Sequence, residues 1–222
     1  NEKDVEFAPV ISNPEKILCV GLNYQSHQEE TKMAKQAYPT IFSKFNNALA
    51  GHKQDINTLS YASQYDYEVE LVIVIGKEAH DVSEEKALDV VFGYTVGNDV
   101  SARDLQTRTS QWLMGKTFDH FAPVGPYLVS HDSIDSSNLT LTTHVNGELR
   151  QKGHTSDMIF DCKYIVSYLS KYMTLKPGDI IFTGTPSGVI LGYPEEKKVW
   201  LKAGDVMEVS IEGIGSLINK LV

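Results

Sequence analysis

The sequence has few cysteines, no long apolar run and no surplus of basic charge, and each shortage removes a class of protein. Two cysteines in 222 residues cannot build a disulfide framework. Cys19 falls inside the apolar run 17–20 and Cys162 in a predicted helix, which fits a reduced, cytoplasmic protein. No stretch approaches the ~18 apolar residues of a membrane span, so no membrane partner is expected. Lys+Arg 20 against Asp+Glu 29 leaves a formal charge of −9. A negative envelope repels phosphate backbones, so nucleic acid is not an expected partner either. Asn1-Glu2-Lys3-Asp4 leads into no apolar signal segment, and the missing initiator Met suggests a trimmed or partial chain. The patterns H-E-x-x-H, C-x-x-C and G-x-S-x-G are all absent, so zinc hydrolysis and a serine nucleophile lose support.

What is present reads as a globular chain, 41% hydrophobic and 22% charged. No repeat or flexible linker divides it, so one domain is expected over 17–222, with 1–16 as an N-terminal segment or linker. Short strands are predicted at 17–20 and 40–45, with a polar, helix-compatible stretch at 24–35 between them. Residues 65–76 give the clearest strand signal. Val69, Leu71, Ile73 and Ile75 occupy one parity and are expected to face the core; Glu68, Glu70, Val72 and Val74 occupy the other. A helix over 83–91 with Ser83 as cap, a strand over 91–96 and a short helix over 99–105 follow. The second half predicts strands at 126–129, 139–145, 180–183, 206–211 and 214–222, with a hairpin at Asn146-Gly147 and an amphipathic helix over 157–173. The fold class is therefore α+β, β-dominated and mixed, not a doubly wound parallel sheet.

Four places carry chemistry. Glu68 and Glu70, two apart on a strand, project from one face, and a divalent cation relieves the repulsion between them. Oxygen-only ligands suit a hard ion, and Asp99, after the strand end at Gly97-Asn98, offers a third carboxylate. An exposed strand bearing solvated acids explains the same spacing. His27 and Glu30 share a face if 24–35 is helical, which suits a base oriented by a carboxylate, or equally an exposed ion pair. Lys116, among aromatic and apolar neighbours, could meet a substrate carboxylate or an enolate oxygen, or could extend its ammonium into water. Thr183-Gly184-Thr185-Pro186-Ser187-Gly188 reads as a turn with exposed N–H groups, either a carboxylate cradle or a plain turn.

Taken together, Gly21-Leu22-Asn23-Tyr24 with His27 and Glu30, Tyr67-Glu68-Val69-Glu70-Leu71, and Gly97-Asn98-Asp99-Val100-Ser101-Ala102-Arg103-Asp104-Leu105-Gln106 resemble the fumarylacetoacetate hydrolase superfamily. So do Lys116-Thr117-Phe118-Asp119, Pro123-Val124-Gly125-Pro126, Val145-Asn146-Gly147 and the turn at 183–188, in the family's order from Ile17 to Val222. The resemblance implies a mixed β-roll of the family's C-terminal-domain type, usually a homodimer, with Mg²⁺ or Mn²⁺ held by Glu68, Glu70 and Asp99. It implies that 24–37 acts as a lid bringing in the His27–Glu30 dyad, and that Gln106, Lys116 and Thr185 contact a 2-oxo acid substrate. Residues 1–14 would be at most the remnant of an N-terminal segment found in some relatives.

The expected reaction passes through an enolate stabilised by the metal, with Lys116 adding positive charge. Glu30 would hold His27 as the base that activates water in acylpyruvate hydrolysis, and oxaloacetate decarboxylation would reach the same enolate without water. These two carbon–carbon cleavages are the favoured expectation. Isomerisation of a hydroxymuconate-type diacid (2-hydroxyhepta-2,4-diene-1,7-dioate or 5-carboxymethyl-2-hydroxymuconate) is the enzyme alternative, and a catalytically silent metal-binding scaffold the non-enzyme one.

Overall fold

Short runs of aliphatic and β-branched residues form most of the regular structure in this computed structural model, which describes residues 5–31 and 37–222. The start of the expected N-terminal segment (1–4) and residues 32–36 of the expected helix and lid lie outside the described residues. The strands are β1 (Ile17–Gly21), β2 (Thr40–Lys44), β3 (Leu49–Ala50), β4 (Tyr65–Asp66), β5 (Val69–Ile75), β6 (Val91–Asn98) and β7 (Ser101–Ala102). They continue as β8 (Ala122–Pro123), β9 (Val129–Ser130), β10 (Thr140–Val145), β11 (Glu148–His154), β12 (Ile180–Phe182), β13 (Val206–Ile211) and β14 (Gly215–Lys220). The α-helices are α1 (Gln25–Thr31), α2 (Arg103–Gln106), α3 (Leu113–Lys116) and α4 (Cys162–Tyr172).

A six-stranded sheet in the order β2-β1-β12-β5-β6-β9 is antiparallel except for the β1–β12 pair. A four-stranded antiparallel sheet, β11-β10-β13-β14, packs beside it. Its first hairpin turns at Asn146-Gly147, as expected, with φ of 52° and 82°. Cys19 and Cys162 are both buried and free. The expected mixed, β-dominated architecture is the one observed.

The central strand β5 settles an alternative that the sequence left open and departs from the predicted strand in one respect. Every residue in it is buried, so it has no solvent face. Val69, Leu71, Ile73 and Ile75 join one core cluster with Ile165, Val166 and Leu169 of α4, while Val72 and Val74 join a second with Ile17, Ile180 and Phe182. A near-continuous aliphatic run marks such a doubly covered strand better than its parity does. The predicted single strand 65–76 is also broken at Tyr67-Glu68. Asp66 Oδ1 accepts the Tyr67 N–H and Asn98 Oδ1 accepts the Glu68 N–H, so side chains replace ladder bonds there. β4 consequently leaves the sheet to pair with β7.

Three helix expectations are corrected. Glu84–Val90 forms a 3₁₀ helix, and the Ser83 side chain does not cap it. Residues 99–105 are not one helix: β7 intervenes before the four-residue α2. The long helix starts at Cys162, where Asp161 caps it by accepting the Tyr164 N–H. The strand predicted at 126–129 appears only as the two-residue β9.

Candidate active site

Glu68 ends the break between β4 and β5, Glu70 lies inside β5, and Asp99 follows the end of β6. Pairing of Glu70 with Gly97, and an Asp99 N–H to Glu68 O bond of 2.9 Å, bring the three together. One oxygen from each lies within 4.8 Å of the others, and all three residues are buried. The solvated-acid alternative is therefore excluded.

Three buried bases answer this charge. Lys116 Nζ lies 2.7 Å from Glu68 Oε2 and 2.8 Å from Asp99 Oδ2, so it does not reach into water. Arg103 bridges Glu68 Oε1 at 2.6 Å and Asp66 Oδ2 at 2.9 Å. Lys44 Nζ makes an ion pair with Asp99 Oδ1 at 2.5 Å and donates to the carbonyls of Val100 and Phe121. Burial alone would raise the Glu68 carboxyl, but Lys116 and Arg103 outweigh it and hold the group well below the usual carboxylate range. Burial likewise works against the Lys116 ammonium, yet Asp99 and Glu68 raise its pKa. At Lys44 burial wins and lowers the pKa, despite Asp99.

Glu70 differs from its neighbours. Its Oε2 accepts the Gly184 N–H at 2.6 Å, and burial together with Asp99 and Glu68 pushes its carboxyl well above the ordinary range. Four buried carboxylates (Asp66, Glu68, Glu70, Asp99) face three buried bases, and Glu70 carries the unbalanced charge. A hard divalent cation fits this donor set: three convergent oxygens, no sulfur or nitrogen, and one carboxylate held against like charge. The turn at 183–188 is corrected accordingly. It is not a row of exposed N–H groups, because Gly184 and Thr185 are buried and the Gly184 amide is taken by Glu70.

The dyad is formed. β1 ends at Gly21, Leu22 turns in the left-handed region (φ 59°), and Asn23 locks the turn through Thr183 O, Phe160 O and the Phe160 N–H. α1 follows, and a seven-residue helix needs docking to persist. His27 Nδ1 lies 2.7 Å from Glu30 Oε1, and His27 is buried. The exposed-pair alternative is excluded as well. A carboxylate accepting from Nδ1–H leaves Nε2 as the free lone pair.

His27, Glu68, Glu70, Asp99, Lys116, Gln106 and Thr185 line one cavity, so every sequence-predicted site residue except Glu30 faces it and Glu30 stands behind His27. The polarity of the two uncharged groups is fixed from behind. Gln106 Oε1 accepts from Arg103 Nη1 at 2.9 Å, leaving the amide NH₂ as donor. Gln151 Oε1 accepts from Val69 N–H and Thr143 Oγ1, so its Nε2 must donate, to Thr185 Oγ1 at 2.9 Å and to Pro186 O. The Thr185 hydroxyl hydrogen is thereby free to donate. Both groups present hydrogens, an arrangement that suits an acceptor-rich anion.

Sequence reading missed Lys44, Asp66, Arg103 and Gln151. A lysine between Ser43 and Phe45 within the predicted strand 40–45 was the available signal for Lys44, and none marked Gln151. Replacing Arg103 with leucine leaves Asp66 and Glu68 without their guanidinium and is expected to cost about 3–5 kcal/mol, read as a lower urea midpoint. An unchanged midpoint would show that the bridge carries no net stability.

A family profile described as Fumarylacetoacetate (FAA) hydrolase C-terminal matches residues 16–222. The human protein named Oxaloacetate tautomerase FAHD2A, mitochondrial, is 42% identical over 222 residues, 99% of this chain and 70% of that one. The crystal structure of a 5-carboxymethyl-2-hydroxymuconate delta-isomerase from Mycobacterium smegmatis superposes with a TM-score of 0.87 at 40% identity, covering 99% of this chain and 82% of that one. A fumarylpyruvate hydrolase from Pseudomonas aeruginosa, solved with Mn²⁺ and pyruvate, gives 0.85 at 33% identity, over 99% and 92% of the two chains. Among the described residues no helix is long and apolar enough to cross a membrane. The human relative's name places that protein in mitochondria, so the expected cytoplasmic location draws no support from it.

Proposed function

This chain belongs to the fumarylacetoacetate hydrolase family, and within it we propose a divalent-cation-dependent enzyme that interconverts the keto and enol forms of a small 2-oxo diacid of the oxaloacetate type. The observation that carries the reading is one buried cavity lined by three convergent carboxylates, an oriented imidazole and fixed hydrogen-bond donors. Glu68, Glu70 and Asp99 would hold Mg²⁺ or Mn²⁺, which supplies Lewis-acid polarisation of the 2-oxo carbonyl. Gln106 and Thr185 would grip the carboxylate end with their free hydrogens. His27 Nε2 would take the proton from C3 as the C2–C3 double bond forms and the carbonyl electron pair moves to oxygen. Lys116 would offset the charge developing there, and His27 would return its proton to that oxygen. Glu30 would keep the ring in place throughout. This reaction needs no second reactant, and the human relative's name supports it.

Carbon–carbon cleavage of acylpyruvates, or decarboxylation of oxaloacetate, is the second reading, supported by the likeness to the fumarylpyruvate hydrolase solved with Mn²⁺ and pyruvate. The same enolate serves it, with His27 activating water in the hydrolytic case. One experiment separates the two. Enol-oxaloacetate absorbance is followed beside coupled detection of pyruvate, with Mg²⁺ or Mn²⁺ and then with EDTA. Cation-dependent loss of the enol signal without pyruvate is the expected result. Pyruvate formed at the rate of enol loss would replace tautomerisation with cleavage. No cation-dependent change in either signal, with oxaloacetate or acetylpyruvate, would reject both.

A further inference from the structure

Behind the dyad, Glu30 is held by residues 187–192, which follow Thr185 in the chain and supply neither a cation ligand nor the proposed base. Its Oε2 accepts the Gly188 N–H at 2.9 Å, and the Ser187 N–H reaches Ser26 Oγ at 3.3 Å. Gly188 has a φ of 103°, and a Cβ there would stand 2.3 Å from Arg150 O, so only glycine lets the chain pass at this point. Gly192 closes the other side: a Cβ on it would lie 2.5 Å from Glu30 Cδ. Residues 188–192 thus form a socket fitted to one carboxylate.

The socket is fixed from the segment that leads out of β4 to Glu68. The buried Tyr67 hydroxyl donates to Gly188 O at 2.9 Å, with the Tyr193 hydroxyl 3.3 Å behind it. Asp66 Oδ1 accepts the Ile190 N–H at 2.9 Å and Oδ2 the Leu191 N–H at 3.0 Å. Gly188 therefore takes the Tyr67 hydroxyl on its carbonyl and serves Glu30 through its N–H.

We propose that Tyr67 and Asp66 are positioning residues for His27: they fix residues 188–192, which hold Glu30, which orients the imidazole. Neither lines the catalytic cavity: Tyr67 reaches the socket through Gly188 O, and Asp66, which also pairs with Arg103, through the Ile190 and Leu191 amides. The pair precedes Glu68 directly in the chain, so one short segment serves both the carboxylate cluster and the base. The inference rests on His27 acting as the base in the proposed function.

Tyr67→Phe tests it, because the ring and its packing stay while Gly188 O loses its donor. The expected result is a kcat lower by about 5–20-fold, the scale of a buried carbonyl left unpaired, with KM and the Mn²⁺ dissociation constant within about twofold. In a His27→Ala background the same change should produce no further loss, since it acts only through His27. Hydrogen exchange at the Gly188 amide should become about tenfold faster. Gly192→Ala, which pushes Glu30 from the opposite side, should lower kcat with the same dependence on His27. An equal loss in both backgrounds, a shifted Mn²⁺ affinity, or unchanged kcat and exchange would overturn the proposal. If His27→Ala itself retains full activity, the assignment of the base falls. In that case the Gly188 exchange rate still decides whether Tyr67 holds the socket.

Discussion

Changing Glu70 to glutamine is expected to weaken Mg²⁺ or Mn²⁺ binding at least about 100-fold and to remove cation-dependent turnover, while the protein stays folded. Glutamine keeps the shape and can still accept the Gly184 N–H through its amide oxygen. It removes the charge that lies against Asp99 and Glu68 in a buried site. The metal-free variant should therefore be more stable than the metal-free parent, and pH gives this its sign. The folded-state pKa of Glu70 is raised above its ordinary 4.5, chiefly by burial, then by Asp99 and Glu68. Over the interval from 4.5 to that raised value the folded state binds more protons than the unfolded one, so stability falls as pH rises. The advantage of the glutamine variant should be absent below that interval, grow through it, and level off above it. Denaturant titrations of both EDTA-treated proteins across pH measure it, and a parent more stable than its variant at neutral pH would contradict the charge balance described above.

His27→Ala is expected to lower kcat by about 10²–10⁴-fold, the range over which a positioned general base contributes. Cation affinity should stay within about threefold, because none of the three carboxylates bonds to His27 in the structure. Glu30→Gln should give a smaller loss, since its amide oxygen can still accept from Nδ1–H, although it offers no charge and turns its NH₂ against the Gly188 N–H that Glu30 Oε2 accepts. Calorimetric titration with Mn²⁺ beside steady-state kinetics separates these effects. Equal damage to affinity and turnover would make His27 part of the cation site instead of the base. Turnover that survives both changes would move the base elsewhere in the cavity.

The parts of the site legible in sequence are those whose geometry is local. Glu68 and Glu70 are two residues apart on or beside a strand, and His27 and Glu30 three apart on a helix, so period alone aligned each pair. Asp99 came from its place after a strand end, but its approach to the pair depends on the register of β5 against β6. The supporting groups were not legible for the same reason. Arg103 meets Asp66 across 37 positions, and Gln151 meets Val69 across 82, and no spacing rule spans such intervals. The break at Tyr67-Glu68 was hidden because Asp66 and Asn98 side chains supply its hydrogen bonds, and a propensity reading has no term for that. The parity of 65–76 left the exposure of the second face open, since packing on both sides makes either face apolar. The same parity still placed Glu68 and Glu70 together, because the side-chain alternation of a strand does not depend on what covers it.

The central claim is that Glu68, Glu70 and Asp99 share one divalent ion in the cavity that His27 faces. Anomalous diffraction at the manganese edge, from crystals grown with Mn²⁺, tests it most directly. A single peak within about 2.6 Å of one oxygen from each of the three carboxylates is the predicted result. A cavity without a peak at saturating Mn²⁺, or an ion bound by other residues, would contradict it.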